Sequence, residues 1–537
     1  MKRNAVLVFG LGLVLALTMA SGVAVASPRT GGSVHARSGS VHGKATKSAA
    51  YCVGVAKVDI TPTPAMIASG NLYLGGYGIG PVHPANSVLR HIYSRSIAIG
   101  VPHNGACPSA ARTHQALAHQ VVITGDDLQG HFLAYQQGPY GFADMENHIQ
   151  STLGIPASHV LIQSTHTHNG PDDLGVWGGV PDSYLAEVTS GTEAAITQAV
   201  DTEQLATVRW ATADMTGFSN GDTTAGPIDN TLRMLQATST STGAVIATML
   251  NYSSHATVYG PLDEVSPDWP GATATYLEGD QIGDPGTGYP GSVAVVTVGA
   301  MGETHPSGVP SGDAAEKGPP ASSDKNYPAD YYGDAVGHMG IAALANPAQT
   351  HVLTGQAQVN GVSSTLTVVN DNPLLGAEEL SPVPGYHVYR ADTPPYGAGD
   401  VISTEAQMLR VGNLAMMAAP GEPYPSIEST LSKEIGAQVM FPLGLANDQL
   451  GYIEQLSDYP SAIQCSTTDE GFFTISPTFG NDLETAQRSL AQKLGFAVID
   501  PGPVADANLG TVPPSTLCTQ QQIGQVAQNP TSAVPVP

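Results

Sequence analysis

Short apolar runs alternate with amphipathic segments along most of this chain. Continuous runs rich in valine, isoleucine and leucine predict strands, several of them buried on both faces. The predicted strands are residues 53–60, 92–99, 120–124, 160–164, 207–212, 244–250, 292–298 and 414–419. Apolar positions at helical spacing predict one helix capped by Asp182 and another that begins at a capping box of Asn481 and Glu484. This alternation predicts an α/β fold with mixed β-sheets flanked by helices.

Four of the predicted strands run directly into loops that carry unusual polar residues. The strands and their polar residues are 160–164 with His166 and His168, 244–250 with His255, 292–298 with His305, and 414–419 with Glu422. Ligands of α/β sheets bind at the carboxyl ends of the strands. The sequence therefore predicts that these four strand ends form one site.

The residue types at these strand ends are those of a metal site. His166, His255 and Glu422 together could form a two-histidine, one-carboxylate zinc site. The His-x-His spacing of His166 and His168 is expected to put both imidazoles on one strand face, because side chains alternate along a strand. A histidine at a strand end is also often an ordinary hydrogen-bonded residue, and these ligands lie far apart in sequence. The spacing alone leaves both interpretations open.

The two ends of the chain differ in composition from the middle. Residues 1–26 predict a secretory signal peptide, because two basic residues precede an apolar run and a small-x-small cleavage site. Residues 27–50 predict a flexible linker, and residues 501–537 predict a loose C-terminal tail. The mature chain is expected to be secreted and to contain no integral membrane segment. Its oligomeric state cannot be predicted from these patterns.

Charge and cysteine content narrow the class of protein further. The formal net charge of −26 makes nucleic acid a poor partner, because phosphate binding requires a basic surface. None of the four cysteines belongs to a CxxC pair, so two disulfides are expected instead of a thiolate metal site. Three pairings are possible, and proximity in sequence alone favours Cys52–Cys107 with Cys465–Cys518.

Taken together, the motifs resemble those of the neutral ceramidase family along residues 53–495. The most specific is Thr165-His166-Thr167-His168 with Gly170-Pro171, which is similar to the family's Thr-His-Thr-His-x-Gly-Pro motif. The other similar segments, in the family's order, are residues 54–62, 75–78, 90–97, 251–255, 266–271, 420–422 and 451–453. The resemblance implies that residues 51–500 form a ceramidase-like zinc hydrolase domain. In length the chain departs from the long ceramidases, which carry an immunoglobulin-like domain after the catalytic domain: about 40 residues follow Asp500, so no such domain of about 100 residues is expected here.

The resemblance implies roles for individual residues. The implied ligands of Zn²⁺ are His166, His255, Glu422 and Tyr452. His168 would transfer a proton or donate to an oxyanion beside the metal, and Asp268 would be a carboxylate that orients a ligand. The alternative for Tyr452 is a core tyrosine with a hydrogen-bonded hydroxyl.

The chain departs from the family at a position that bears on mechanism. Gly302-Glu303-Thr304-His305-Pro306 lies where the family has Gly-Asp-x-Ser-Pro, so His305 replaces the serine. Ser307 is too far along the chain to take the same place. Either zinc-activated water attacks the substrate, with His305 as a base, a donor or a further ligand, or the site is degraded and only binds. A loop histidine hydrogen-bonded to backbone is the other interpretation of His305.

The expected function is that of a secreted zinc-dependent amide hydrolase. Its substrate would be the N-acyl bond of ceramide or of a related small-molecule or lipid N-acyl compound, with Tyr452 or His305 stabilising the oxyanion. One alternative is a zinc esterase or amidase of other specificity on the same scaffold. The other is a non-catalytic secreted binding protein that has lost the family serine.

Overall fold

A computed structural model gives the fold of the central part of the chain. The residues described are 50–78, 80–108, 117, 119–221, 227–279, 288–310, 327–354, 357–370, 372, 389–391, 401–458 and 473–499. The predicted signal peptide, nearly all of the predicted linker and the predicted tail lie outside these residues.

The strands and helices follow the apolar runs of the sequence. The strands are β1 (Ala50–Asp59), β2 (Ser87–Val88), β3 (Tyr93–Gly100), β4 (Gln120–Asp126), β5 (Val160–Ser164), β6 (Gln204–Asp214), β7 (Ser219–Gly221), β8 (Thr231–Ser239), β9 (Val245–Tyr252), β10 (Glu264–Val265), β11 (Val293–Val298), β12 (Thr304–Pro306), β13 (His351–Val352), β14 (Val359–Val369), β15 (Val401–Val411), β16 (Leu414–Ala418), β17 (Glu422–Pro423), β18 (Val439–Leu443) and β19 (Tyr452–Ile453). The helices are α1 (Pro64–Ala68), α2 (Phe142–Leu153), α3 (Asp182–Asp201), α4 (Asp268–Glu278), α5 (Tyr327–Ala345), α6 (Pro425–Glu434) and α7 (Phe479–Lys493), with a 3₁₀ turn at Ala157–His159.

A large mixed sheet forms the centre of the fold. Its strand order is β11-β9-β8-β6-β1-β3-β4-β5, and β13 adds to β6. The pairs β9–β11 and β4–β5 are parallel, whereas the other neighbours are antiparallel. The prediction of mixed sheets is confirmed, and two parallel pairs direct their carboxyl ends toward loops that carry histidines.

The large sheet curls until its two edge strands approach each other. Gln163 of β5 donates a hydrogen bond of 2.5 Å to the carbonyl of Val298 at the end of β11. Gly125 of β4 allows this approach, because a Cβ there would lie 2.8 Å from the carbonyl oxygen of Val296. The curl therefore brings the carboxyl ends of β5 and β11 together, although they are opposite ends of the strand order.

Helices cover the outside of two packed sheets. One face of the large sheet packs on α2 and α3, where Phe142 is fully buried. Its other face shares a core with the second sheet, β14-β15-β16-β18, through side chains such as Leu161 and Met416. The second sheet is covered in turn by α6 and α7 through Ile427 and Leu483. The predicted fold class, mixed sheets flanked by helices, is confirmed.

Both predicted helix starts differ from those observed. Asp182 is the first residue of α3, and the N-cap is Pro181 without a side-chain hydrogen bond. The capping box is also wrong, because α7 begins at Phe479 and Asn481 lies inside it. Asn481 Oδ1 accepts the backbone N–H of Leu456, at 2.9 Å, and so serves a neighbouring loop instead of its own helix.

The predicted disulfide between Cys52 and Cys107 is present. It joins the start of β1 to the loop that follows β3. Cys465 and Cys518 lie outside the described residues, so the second predicted pair stays a prediction. Among the helices that the structure describes, none combines the length and apolarity needed to cross a membrane.

Candidate metal centre

His166 lies in a turn immediately after β5. Its backbone is left-handed, with φ of +62°, a conformation that costs a non-glycine residue on the order of 1 kcal/mol. The prediction that strand alternation places His166 and His168 on one face is therefore wrong, because the strand ends at Ser164. The left-handed turn instead brings the two rings together edge-on, with centroids 4.6 Å apart.

The orientation of the His166 ring is fixed by backbone. Its Nδ1 lies 2.8 Å from the carbonyl oxygen of Gln129, so Nδ1 carries the proton and donates. Nε2 is then a lone pair directed toward the cluster. A carbonyl that holds the second nitrogen of an imidazole is the usual companion of a metal-ligating histidine.

His255 is fixed in the same way at the end of β9. Its Nδ1 lies 3.1 Å from the carbonyl oxygen of Thr304, and its backbone N–H donates to that oxygen at 2.8 Å. Because Thr304 begins β12, the loops after β9 and β11 are joined at this point. The Nε2 atom of His255 is left as a lone pair, as in His166.

Glu422 completes the group from the second half of the chain. Its Oε2 lies 3.2 Å from Nε2 of His255 and 3.5 Å from Nε2 of His166, and its Oε1 accepts from Gln449 at 2.9 Å. Burial by itself would raise the pKa of this carboxyl, whereas positive charge and hydrogen-bond donors at the positions of His166 and His255 outweigh burial and hold the pKa well below its usual range. The carboxylate thus depends on positive charge in the space that the imidazoles face.

These three donor atoms fit a zinc ion. Zinc bonds of about 2.0–2.1 Å in a tetrahedral arrangement separate neighbouring ligand atoms by roughly 3.3 Å. The separations of 3.2 and 3.5 Å between Glu422 and the two imidazoles agree with that value. Two imidazole lone pairs and a carboxylate directed at one buried point repel one another unless a cation lies between them.

Tyr452 lies beside the same group. In the parallel pair β17–β19 it is the direct partner of Glu422. The side chain is buried, and its ring centroid is 6.4 Å from that of His255. The structure therefore brings together all four residues that the sequence indicates as ligands, whereas ligation by the phenol oxygen stays a prediction.

His168 lies at the edge of the group and is held differently. Its Nε2 is 3.1 Å from Nε2 of His166, and its ring packs edge-on against Tyr77 at 5.0 Å. Its Nδ1 is buried, with no hydrogen-bond partner within the described part of the chain. Burial and then the neighbouring imidazoles lower the pKa of His168 well below its usual range. One ring nitrogen from each of His166, His168 and His255 lies within 4.8 Å of the others, so this group of histidines could hold a metal ion.

Gly76 makes room for the ring of His168, a role that its place among the family-like residues 75–78 does not itself indicate. Gly76 has φ of +105°, and a Cβ there would lie 2.3 Å from Cγ of His168. A side chain at position 76 would therefore displace the imidazole. The run of glycines at 75, 76 and 78 was the available signal, since closely spaced glycines mark a place where backbone approaches another group.

His305 also belongs to the site. It lies on β12 opposite Asn220 of β7, and its ring stacks on that of His255 with centroids 4.2 Å apart and an angle of 16°. Its Nδ1 is 3.5 Å from Oγ1 of Thr257. Ser307 is turned away, because its hydroxyl donates to the carbonyl of Gly217 at 2.9 Å. The residue at the expected serine position thus packs directly on a proposed zinc ligand.

Asp268 is connected to the site through backbone. Its carboxylate accepts the N–H groups of Val258, Tyr259 and Trp269, the first two of which lie in the loop after His255. Burial raises the pKa of Asp268 to about 6 in spite of these donors. The carboxyl therefore holds the loop that follows His255, whereas the imidazoles of His166 and His255 are oriented by backbone carbonyls.

The chain is similar to known proteins in its three-dimensional structure. No family model matches the chain, and no curated protein matches it. The solved structure of neutral ceramidase from Pseudomonas aeruginosa is similar, with a TM-score of 0.63 and 15% identity over 85% of this chain and 77% of that one. A ceramidase complexed with C2 has a TM-score of 0.60 and 15% identity over 84% and 76% of the two chains. At this identity the likeness concerns the fold, and the chain has the fold of the neutral ceramidases.

Proposed function

We propose that this chain is a secreted zinc-dependent hydrolase that cleaves the amide bond of ceramide or of a related N-acyl compound. The observation that carries the proposal is the convergence of His166, His255 and Glu422, with ligand atoms 3.2 and 3.5 Å apart. The second nitrogen of each imidazole is held by a backbone carbonyl, as expected for zinc ligands. The fold shared with ceramidases supports the amide as the bond that is cleaved.

The proposed ligands are His166, His255 and Glu422, with Tyr452 as the fourth. Zinc held by them would polarise the amide carbonyl and lower the pKa of water to about 7. Glu422 supplies a negative charge to this set of ligands, and Gln449 holds its other oxygen in place. These side chains are buried, so charge–charge interactions among them are stronger than they would be in water.

The remaining histidines have roles beside the ligands. His168 lies 3.1 Å from His166 and keeps an unpaired ring nitrogen, so we assign it the transfer of a proton from water to the leaving amine. Tyr452 and His305 flank the ring of His255, and the proposed donor to the oxyanion is His305, or Tyr452 if its phenol does not bind zinc. Because no serine occupies position 305, water is the proposed nucleophile.

Metal analysis and a substrate panel test the proposal together. Purified mature protein is expected to contain one zinc per chain, to lose activity when a chelator removes it, and to regain activity with added zinc. The panel contains a long-chain ceramide, short N-acyl amides and matched esters. N-terminal sequencing of the secreted protein should find a start after Ala26.

Each outcome of this experiment has a definite meaning. Hydrolysis of ceramide that depends on zinc supports the proposal in full. Hydrolysis of only the short amides or the esters would replace ceramide as the substrate and leave the zinc hydrolase. Less than stoichiometric zinc that added metal does not restore would reject the enzyme and favour a binding protein.

A further inference from the structure

Arg233 of β8 holds two buried carboxylates with one guanidinium. Nη1 lies 2.7 Å from Oδ2 of Asp229, and Nη2 lies 2.7 Å from Oε1 of Glu428. All three side chains are buried, with exposed fractions of 3%, 6% and 8% for Arg233, Asp229 and Glu428. A buried carboxylate that loses its cation is strongly destabilised, so this arrangement fixes the segments to which the three residues belong.

The carboxylate of Asp229 reaches the loop that carries His255. Its Oδ2 accepts the hydroxyl of Ser253 at 2.6 Å, two residues before His255. The same hydroxyl oxygen accepts the backbone N–H of Ala300 at 2.9 Å. Ala300 lies in the loop that leads to Thr304, whose carbonyl holds Nδ1 of His255. The position of the His255 ring thus depends on a chain of hydrogen bonds that begins at Asp229.

The carboxylate of Glu428 reaches the segment that carries Glu422. Glu428 lies in the first turn of α6, which begins at Pro425, directly after β17. The guanidinium of Arg233 therefore joins the segment of His255 to the segment of Glu422. The ligand atoms of these two residues lie 3.2 Å apart.

We propose that Arg233 is a positioning residue that sets the separation between His255 and Glu422 and thereby the affinity for zinc. The inference rests on the proposed function, since this separation matters to zinc only if the two residues bind it. A guanidinium can hold two carboxylates in fixed directions with its planar fork, whereas the ammonium of a lysine is a single point charge. Arg233→Lys is therefore expected to keep the charge and lose the geometry.

The test measures metal binding directly in full-length protein. Zinc affinity is measured by competition with a chelator, and the visible spectrum of cobalt-substituted protein reports the geometry of the ligands. Arg233→Lys and Ser253→Ala are each expected to weaken zinc binding about tenfold and to shift the cobalt spectrum. Arg488→Lys is the matched control, because Arg488 of α7 also joins two carboxylates, Glu434 at the end of α6 and Glu484 of α7. It should leave both readouts unchanged.

The outcomes separate this inference from the proposed function. Wild-type protein that binds neither zinc nor cobalt would overturn both. Wild-type protein that binds zinc, with equal affinity and an equal cobalt spectrum in Arg233→Lys and Ser253→Ala, would overturn the role of Arg233 alone. If Arg233→Lys does not fold, Ser253→Ala decides, since it removes one hydroxyl from the connection and leaves the buried ion pairs intact.

Discussion

Two kinds of histidine meet at the candidate metal centre. The rings of His166 and His255 are each fixed by a backbone carbonyl on Nδ1. The rings of His168 and His305 lie against other rings, Tyr77 and His166 for the first and His255 for the second. A carbonyl that accepts from Nδ1 directs Nε2 toward the shared point, which suits a metal ligand. Nδ1 of His168 has no partner among the described residues and is available to exchange a proton, which suits proton transfer.

The largest expected effect comes from the carbonyl-held pair. His166→Ala or His255→Ala removes one of the four proposed zinc ligands, so we predict loss of bound zinc and of measurable activity. Metal content and hydrolysis of the preferred substrate are measured on each purified variant. His91→Ala is the matched control, because His91 is exposed and pairs with Asp59 away from the site. Retention of stoichiometric zinc by either ligand variant would contradict the proposed ligand set.

The second effect concerns the histidine whose Nδ1 is unpaired. His168→Ala is predicted to keep zinc and to lower kcat by about 10² to 10⁴, the usual contribution of general acid–base catalysis. KM should change much less, because the zinc ligands remain. A variant that loses its zinc as well would show that His168 is a ligand and would remove the distinction between the two kinds of histidine.

The fold and the location of the site were largely predictable from the sequence. The apolar runs that predicted strands correspond to β1, β3, β4, β5, β6, β9, β11 and β16. Their continuous hydrophobicity follows from burial on both faces, between helices and a second sheet. The residues that follow β9 and β11 meet because these two strands are parallel neighbours, and the curl of the sheet brings β5 to β11. Glu422 comes from the second sheet, after β16, and reaches the site because the two sheets pack on each other.

The details that make the site specific were not predictable in the same way. The carbonyls of Gln129 and Thr304 orient the rings of His166 and His255. Because every residue has a carbonyl, no pattern of side chains in the sequence indicates which carbonyls do this. The left-handed turn at His166 replaced the expected strand alternation. Asn481 was assigned to the wrong hydrogen bond, because the same side chain can cap a helix or hold a distant loop.

A smaller effect is expected from the backbone that supports His168. Gly76→Ala places a methyl group where the His168 ring lies, so we predict that kcat falls by up to about 10², with zinc content unchanged. Gly70→Ala is the control for backbone strain, because Gly70 also has a positive φ, of +70°, but open space around a Cβ. Equal losses of kcat in the two variants would show that strain, and not displacement of His168, is the cause.

The smallest effect is expected at His305 and distinguishes two nucleophiles. A stacked aromatic pair contributes about 0.5–1.5 kcal/mol, so His305→Ala should weaken zinc binding or lower kcat by at most about tenfold if Tyr452 is the donor to the oxyanion, whereas a loss of about 10²–10³ in kcat would assign that donor to His305. His305→Ser should resemble His305→Ala if water is the nucleophile, since the hydroxyl then adds nothing to the reaction. Both variants are compared by zinc affinity, by kcat and by a search for an acyl-enzyme in a rapid quench. A serine variant that is much faster than the alanine variant, or that accumulates an acyl-enzyme, would show that the site still accommodates attack by a serine. The residue at position 305 would then set the nucleophile, and the proposed zinc ligands would serve attack by serine as well as by water.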